Sequence, residues 1–115
     1  MPYDVRQSVM DALDACRKIQ AYTQGHTLET YRLNSRDVDA VERRFEILGE
    51  AFNRMINADP SFRVLFPEAG KIIGARNRIA HGYETVDDEV IWTASQDNIP
   101  RLAAKLAEWL DEHQR

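Results

Sequence analysis

The sequence predicts an all-α protein, a four-to-five-helix up-and-down bundle, and three observations carry that prediction. Apolar residues recur three and four apart over long stretches, no segment alternates with the two-residue period of a strand, and capping residues, glycines and prolines fall where the helical patterns break. At 115 residues the chain fits one domain, residues 1–115, long enough to bury a modest core without disulfide or metal staples.

The first pattern covers residues 3 to about 23, with Val5, Val9, Ala12, Leu13, Cys16 and Ile19 on one side and charges between them. Gly25 ends it. Residues 27–33 carry no clear period and read as a short turn of helix. Asn34 or Ser35 then caps the longest helix, in which Val38, Val41, Phe45, Leu48, Phe52 and Met55 form a seam rather than a broad face down to Asp59-Pro60. Pro60 and Pro67 bracket a helical turn over residues 61–66, packed by Phe62, Leu65 and Phe66. A third main helix spans residues 68 to about 81, stopped by Gly82. After a turn through Glu84 and Thr85, a last helical stretch starts near Asp87 and carries Val90, Ile91, Ile99, Leu102, Leu106, Trp109 and Leu110. Pro100 suits the first turn of a segment capped by Asp97 or Asn98, so a break is expected there.

Acidic residues outnumber basic ones 19 to 15, for a net charge of −4, which argues against a dedicated, non-specific polyanion binder and requires any nucleic-acid site to be a local basic patch. The one cysteine, Cys16, allows no intrachain disulfide and no cysteine cluster for a metal, and fits a reducing cytoplasm. The start Met-Pro-Tyr-Asp lacks the basic and apolar regions of a signal peptide, and no run of about 18 apolar residues could span a bilayer. A soluble, cytoplasmic protein without a membrane partner is expected. His26 and His113 read as solvated, Cys16 as core, Trp92 and Trp109 as packing residues, and Glu42, Arg43 and Arg44 as a solvated helix face.

The third helix holds the unusual chemistry. On a helical projection Ala69, Ile72, Ile73, Ile79, Ala80 and Tyr83 all fall within about 60° of Arg76, which places a guanidinium in the middle of an apolar stripe. Asn77 and His81, four apart, share the adjacent face, and Lys71 and Arg78 point further toward solvent. One reading is a buried ion pair, Arg76 meeting Glu46 or Glu50 of the long helix. His81 at a helix end also suits the helix dipole, and Tyr83 could be an aromatic closing the core. The other reading is phosphate-ester chemistry without a metal. Histidine titrates near neutrality and serves as base or acid, while arginine grips phosphate oxygens with a planar fork and stays charged. One chain supplies a single His in the motif. A two-fold dimer that joins two such helices supplies both.

The run Arg76-Asn77-Arg78-Ile79-Ala80-His81-Gly82-Tyr83 resembles the R-x4-H-x-Y motif of the HepT-like HEPN ribonuclease toxins. The block Val41-Glu42-Arg43-Arg44-Phe45-Glu46-Ile47-Leu48-Gly49-Glu50-Ala51 is similar to their long helix. So is the later stretch Val86-Asp87-Asp88-Glu89-Val90-Ile91-Trp92, followed by Ile99-Pro100-Arg101-Leu102, to theirs. The resemblance implies a homodimer with a composite, metal-independent endoribonuclease site at its interface and no cofactor. Arg76 and His81 would be catalytic, Asn77 supporting, and Lys71 and Arg78 RNA-binding, with Arg43, Arg44 or Arg54 as further members of the local basic patch. It further implies the toxin of a type VII-like toxin–antitoxin pair, whose partner, a minimal nucleotidyltransferase antitoxin, AMPylates Tyr83. The alternative within the family is a non-catalytic companion of such a nucleotidyltransferase that binds nucleotide or substrate through Arg76 and His81.

Overall fold

The computed structural model describes residues 3–80 and 87–114. Its elements are α1 (Val5–Thr23), α2 (Leu28–Leu33), α3 (Ser35–Ala58), α4 (Phe62–Leu65), α5 (Ala69–Ala80), α6 (Asp88–Asp97) and α7 (Ile99–Glu112). The protein is all-α, as its periodicity predicts, and the described residues contain no strand. No helix among them is long and apolar enough to cross a membrane.

Local chemistry sets the helix ends. Asp4 caps α1 by accepting from the Arg6 N–H at 3.0 Å, satisfying a donor that the first turn leaves open. At the other end the Thr23 hydroxyl donates to the Ile19 carbonyl at 2.9 Å, and Gly25 turns the chain with φ of +81°, a left-handed conformation that glycine adopts without steric cost. The ambiguous residues 27–33 form α2 because Thr27 and Thr30 cap each other reciprocally. Asn34, not Ser35, caps α3 through the Asp37 N–H at 3.0 Å. Asp87 caps α6 in the same way through Glu89. The expected break falls at Asn98, between α6 and α7, with Pro100 in the first turn of α7 where a missing N–H costs nothing. Asn98 contributes no side-chain cap there.

The main packing runs from α5 to α3, from α3 to α1, and from α1 to α7. Helix α3, 24 residues and about 36 Å long, therefore lies between two partners. This corrects the expectation of a narrow seam: Val41, Phe45, Leu48, Gly49, Ala51, Phe52, Met55 and Ile56 are all buried, a broad face because two neighbours cover it. In α1 the buried set is Val9, Ala12, Leu13, Ala15, Cys16 and Ile19, together with Ser8 and Thr23. Burial pushes the Cys16 thiol up to about 12. From α7 come Ile99, Leu102 and Leu106.

Three other expectations change. In the turn between the prolines Phe62 and Phe66 are buried, but Leu65 is half-exposed and Val90 on α6 is exposed. A four-residue helix shows one face inward, and the two phenylalanines fill it. His26 is not a solvated loop residue: its Nε2 lies 2.8 Å from Asp37 and its Nδ1 2.9 Å from Thr30. Glu42 is half-buried rather than solvated, and its carboxyl pKa is raised by desolvation first and then by Asp88, Asp39 and Glu46. Trp92 packs on Tyr31 with ring centres 5.3 Å apart, and Trp109 on Phe62 at 5.7 Å, the packing roles expected of them. Tyr31 is fully buried, and its hydroxyl has no hydrogen-bond partner among the described residues. Burial and the surrounding acids together hold its phenol neutral.

Candidate active site on the α3–α5 edge

Helix α5 starts after Pro67 and presents Ala69 and Ile72 to the core, with Ile73, Ala75 and Ile79 half-buried along its flanks. Arg76 follows Ile72 by four residues, so it stands on the same face one turn further on. That face meets α3 at Gly49. A Cβ there would collide with the Cβ of Arg76 and lie 2.8 Å from its Cγ and 3.3 Å from the Ile72 carbonyl oxygen. The glycine lets the two helix backbones approach closely enough for the arginine stem to pack where a side chain would otherwise stand.

The next residue of α3 completes the contact. The Arg76 Nη2 donates to Glu50 Oε2 at 2.8 Å, and its Nη1 donates to Asn77 Oδ1 at 3.0 Å. The second Glu50 oxygen is 4.0 Å from Arg54 Nε, one turn along α3. Arg76 remains 30% exposed and Glu50 41%. At that exposure the ion pair contributes about 1 kcal/mol or less, since water screens it. Of the two carboxylates expected to meet Arg76, Glu50 does so, while Glu46 lies 3.6 Å from Arg43 on its own helix.

The guanidinium opens onto a cleft of about 350 Å³ lined by Asp11 of α1, by Arg43, Glu46, Ile47, Glu50, Ala51 and Arg54 of α3, and by Arg76. Three arginines alternate there with three carboxylates. Such a surface meets phosphate as a set of discrete cations, each with a nearby acid, rather than as a broad positive field.

Lys71 and Arg78 stand elsewhere. Both line a larger, mainly apolar cleft of about 800 Å³ between α5 and α6, with Phe45, Ile72, Ala75 and Ile91. The spacing already contains this separation. At 100° per residue Arg78 lies about 200° and Lys71 about 220° from Arg76, on the far side of the helix. Asn77 and Arg76, by contrast, are brought together. His81 and Tyr83 lie outside the described residues, as does Gly82. Among the described residues no three His, Cys, Asp or Glu gather as a possible metal site.

Two participants are less evident in the sequence. Gly49 has one signal, a glycine inside an otherwise strong 24-residue helix, where it costs about 1 kcal/mol relative to alanine; such a residue asks for a packing reason. Arg54 has the i, i+4 spacing from Glu50 that pairs charges along a helix.

Comparison with known proteins assigns the chain a place. Residues 12–109 match the model of the family described as Ribonuclease HepT-like. A Methanocaldococcus jannaschii protein named "Putative RNase MJ1380" is 30% identical over 101 residues, which cover 86% of this chain and 90% of that protein. A Thermococcus cleftensis protein named "Probable ribonuclease HepT" is 30% identical over 97 residues, or 83% of this chain and 86% of the relative. No solved structure gives a significant match. With its all-helical architecture, and with the family match spanning both α3 and α5, the chain belongs to the HepT-like ribonuclease family.

Proposed function

We propose that this protein is a metal-independent endoribonuclease, the toxin of a toxin–antitoxin pair, acting as a homodimer with Arg76 and His81 as its catalytic residues. The observation that carries the reading is the Arg76 guanidinium, anchored by Asn77 and Glu50 at the wall of an open cleft in a chain of the HepT-like family. In the proposed reaction one His81 removes the proton of a ribose 2′-hydroxyl, and the oxygen attacks the adjacent phosphorus. The 5′-oxygen leaves with a proton from the His81 of the second copy, giving a 2′,3′-cyclic phosphate and a 5′-hydroxyl. Arg76 holds the negative charge that grows on the phosphoryl oxygens. The need for two histidines where each motif has one is the support for the dimer. The apolar face of α3 is not part of that support, because α1 and α5 cover it within one chain.

Regulation follows the same reading. A partner nucleotidyltransferase transfers AMP from ATP to the Tyr83 oxygen and releases pyrophosphate, and the added bulk and charge block RNA. The phenol has an unperturbed pKa of about 10, so the partner must activate it. A Tyr83→Phe toxin should therefore escape the antitoxin, with no added AMP in the intact mass. An unmodified wild-type protein that is still silenced by its partner would remove Tyr83 from the switch.

The deciding experiment is cleavage of RNA by the purified protein, with chelator present. Arg76→Ala and His81→Ala should each lower the rate by on the order of 10²-fold or more, with melting temperatures close to wild type. The 2.8 Å contact with Glu50 also favours a second reading, in which Arg76 is only a structural ion pair. That reading gains if Arg76→Ala unfolds the protein or leaves its cleavage unchanged.

A further inference from the structure

We infer that Glu50 is a positioning residue of this site, fixing the guanidinium plane of Arg76 before any phosphate arrives. The inference rests on the ribonuclease reading above. Asn77 and Glu50 take hydrogen bonds from different terminal nitrogens of Arg76, at 3.0 and 2.8 Å. Two anchors on separate nitrogens define a plane, whereas one leaves the group free to swivel. An arginine side chain carries about 2 kcal/mol of rotamer freedom, and a group that must meet charge in the transition state is most useful when that freedom is already spent.

Three features distinguish this arrangement from simple neutralisation. The two bonds use one N–H on each terminal nitrogen, and a guanidinium has five donors, so three remain that neither Asn77 nor Glu50 takes. The Glu50 carboxylate is also shared, with Oε2 on Arg76 and Oε1 4.0 Å from Arg54, so one negative charge stands between two positive ones and their sum stays positive. Finally, Gly49 brings the arginine stem against α3, which places the head beside Glu50, the next residue of that helix. Gly49 sets the distance and Glu50 sets the orientation, on consecutive positions of one helix.

The test compares Glu50→Ala and Glu50→Gln in the full chain on a short RNA, with kcat and KM separated and folding followed by thermal melting. Glu50→Ala should lower kcat by about 10- to 100-fold with KM changed less than about 3-fold, and Glu50→Gln, which keeps an acceptor oxygen, should recover most of the loss. In 15N spectra the Arg76 Nη signals should be sharp in the wild type and the Gln variant and broadened by rotation in the Ala variant. Should Glu50→Ala fail to fold, the Gln variant decides. Wild-type kcat with a freely rotating Arg76 in that variant would overturn the inference, as would wild-type kcat in a folded Glu50→Ala protein or a loss confined to KM. A wild-type protein that does not cleave RNA defeats the ribonuclease reading itself, and is distinguished by failing before any variant is compared.

Discussion

Helices α1 and α5 both pack on apolar surface, yet they do so by different means. In α1 six apolar side chains are buried, Leu13 at 7% exposure and the others at 0%, and helix partners lie on more than one side, α3 and α7. In α5 only Ala69 and Ile72, among the described side chains, are buried, the other apolar residues are half-covered, and an arginine stem packs on a glycine of α3. The first helix is held by removal of apolar surface from water, which is non-directional and large. The second buries less apolar surface and adds to it one close approach on Gly49 and one screened ion pair. The second can carry a charged guanidinium, Arg76, because it leaves that group partly in water, whereas a cation completely buried in the first would lose its hydration and the fold would bear the cost.

Truncation should expose the contrast most strongly. Ile19→Ala, in the fully covered face of α1, should cost about 3–5 kcal/mol, whereas Ile73→Ala, half-covered on α5, should cost about 1–2. Urea unfolding of the two variants measures both, and equal losses would mean that α5 is held as firmly as α1. Next in size is Gly49→Ala. Helix propensity favours alanine by about 1 kcal/mol, but crowding against the Arg76 Cβ and the Ile72 carbonyl costs about 1–3 kcal/mol. The expected net is a modest loss of stability with a much larger loss of cleavage, because α5 must shift away from Glu50. A variant as stable and active as wild type would show that the close approach is dispensable.

The smallest effect lies away from both helices, at Glu42. Its pKa is raised from 4.5 in the folded state, so the folded chain binds that proton more tightly than the unfolded chain does. Ionisation therefore removes stability as pH rises from the unfolded carboxylate value through the folded one, and above that the penalty is complete. Glu42→Gln should be more stable than wild type at pH 7, by about 0.5 kcal/mol or less given its partial exposure, and the advantage should shrink toward pH 4. Denaturation midpoints at the two pH values would show it; a less stable Gln variant at pH 7 would contradict the acidic surroundings.

Much of the fold is legible because helical periodicity is a one-dimensional signal. The spacing of Val41, Phe45, Leu48, Phe52 and Met55 describes α3 correctly, and the break near Pro100 appears at Asn98. What periodicity omits is the number of neighbours. A helix covered on two sides looks like a seam until both partners are placed, which is why Gly49 and Ala51 do not stand out as core. Pairing across helices is hidden for the same reason. The partner of Arg76 is visible as a choice between Glu46 and Glu50, and three-dimensional register makes the choice. His26 with Asp37, eleven residues apart, gives no local clue at all. The separation of Lys71 and Arg78 from Arg76 is the opposite case: angle arithmetic contains it, and a list of basic residues conceals it.

The burial of Cys16 has a consequence for how the chain meets oxidants. Disulfide exchange proceeds through the thiolate and needs access to a partner sulfur. A thiol pushed up to about 12 and fully covered by α1's neighbours offers neither. Folded copies of this chain should neither cross-link through sulfur nor climb the oxidation ladder, so their lone cysteine is a small apolar side chain in an oxidising medium as much as in a reducing one.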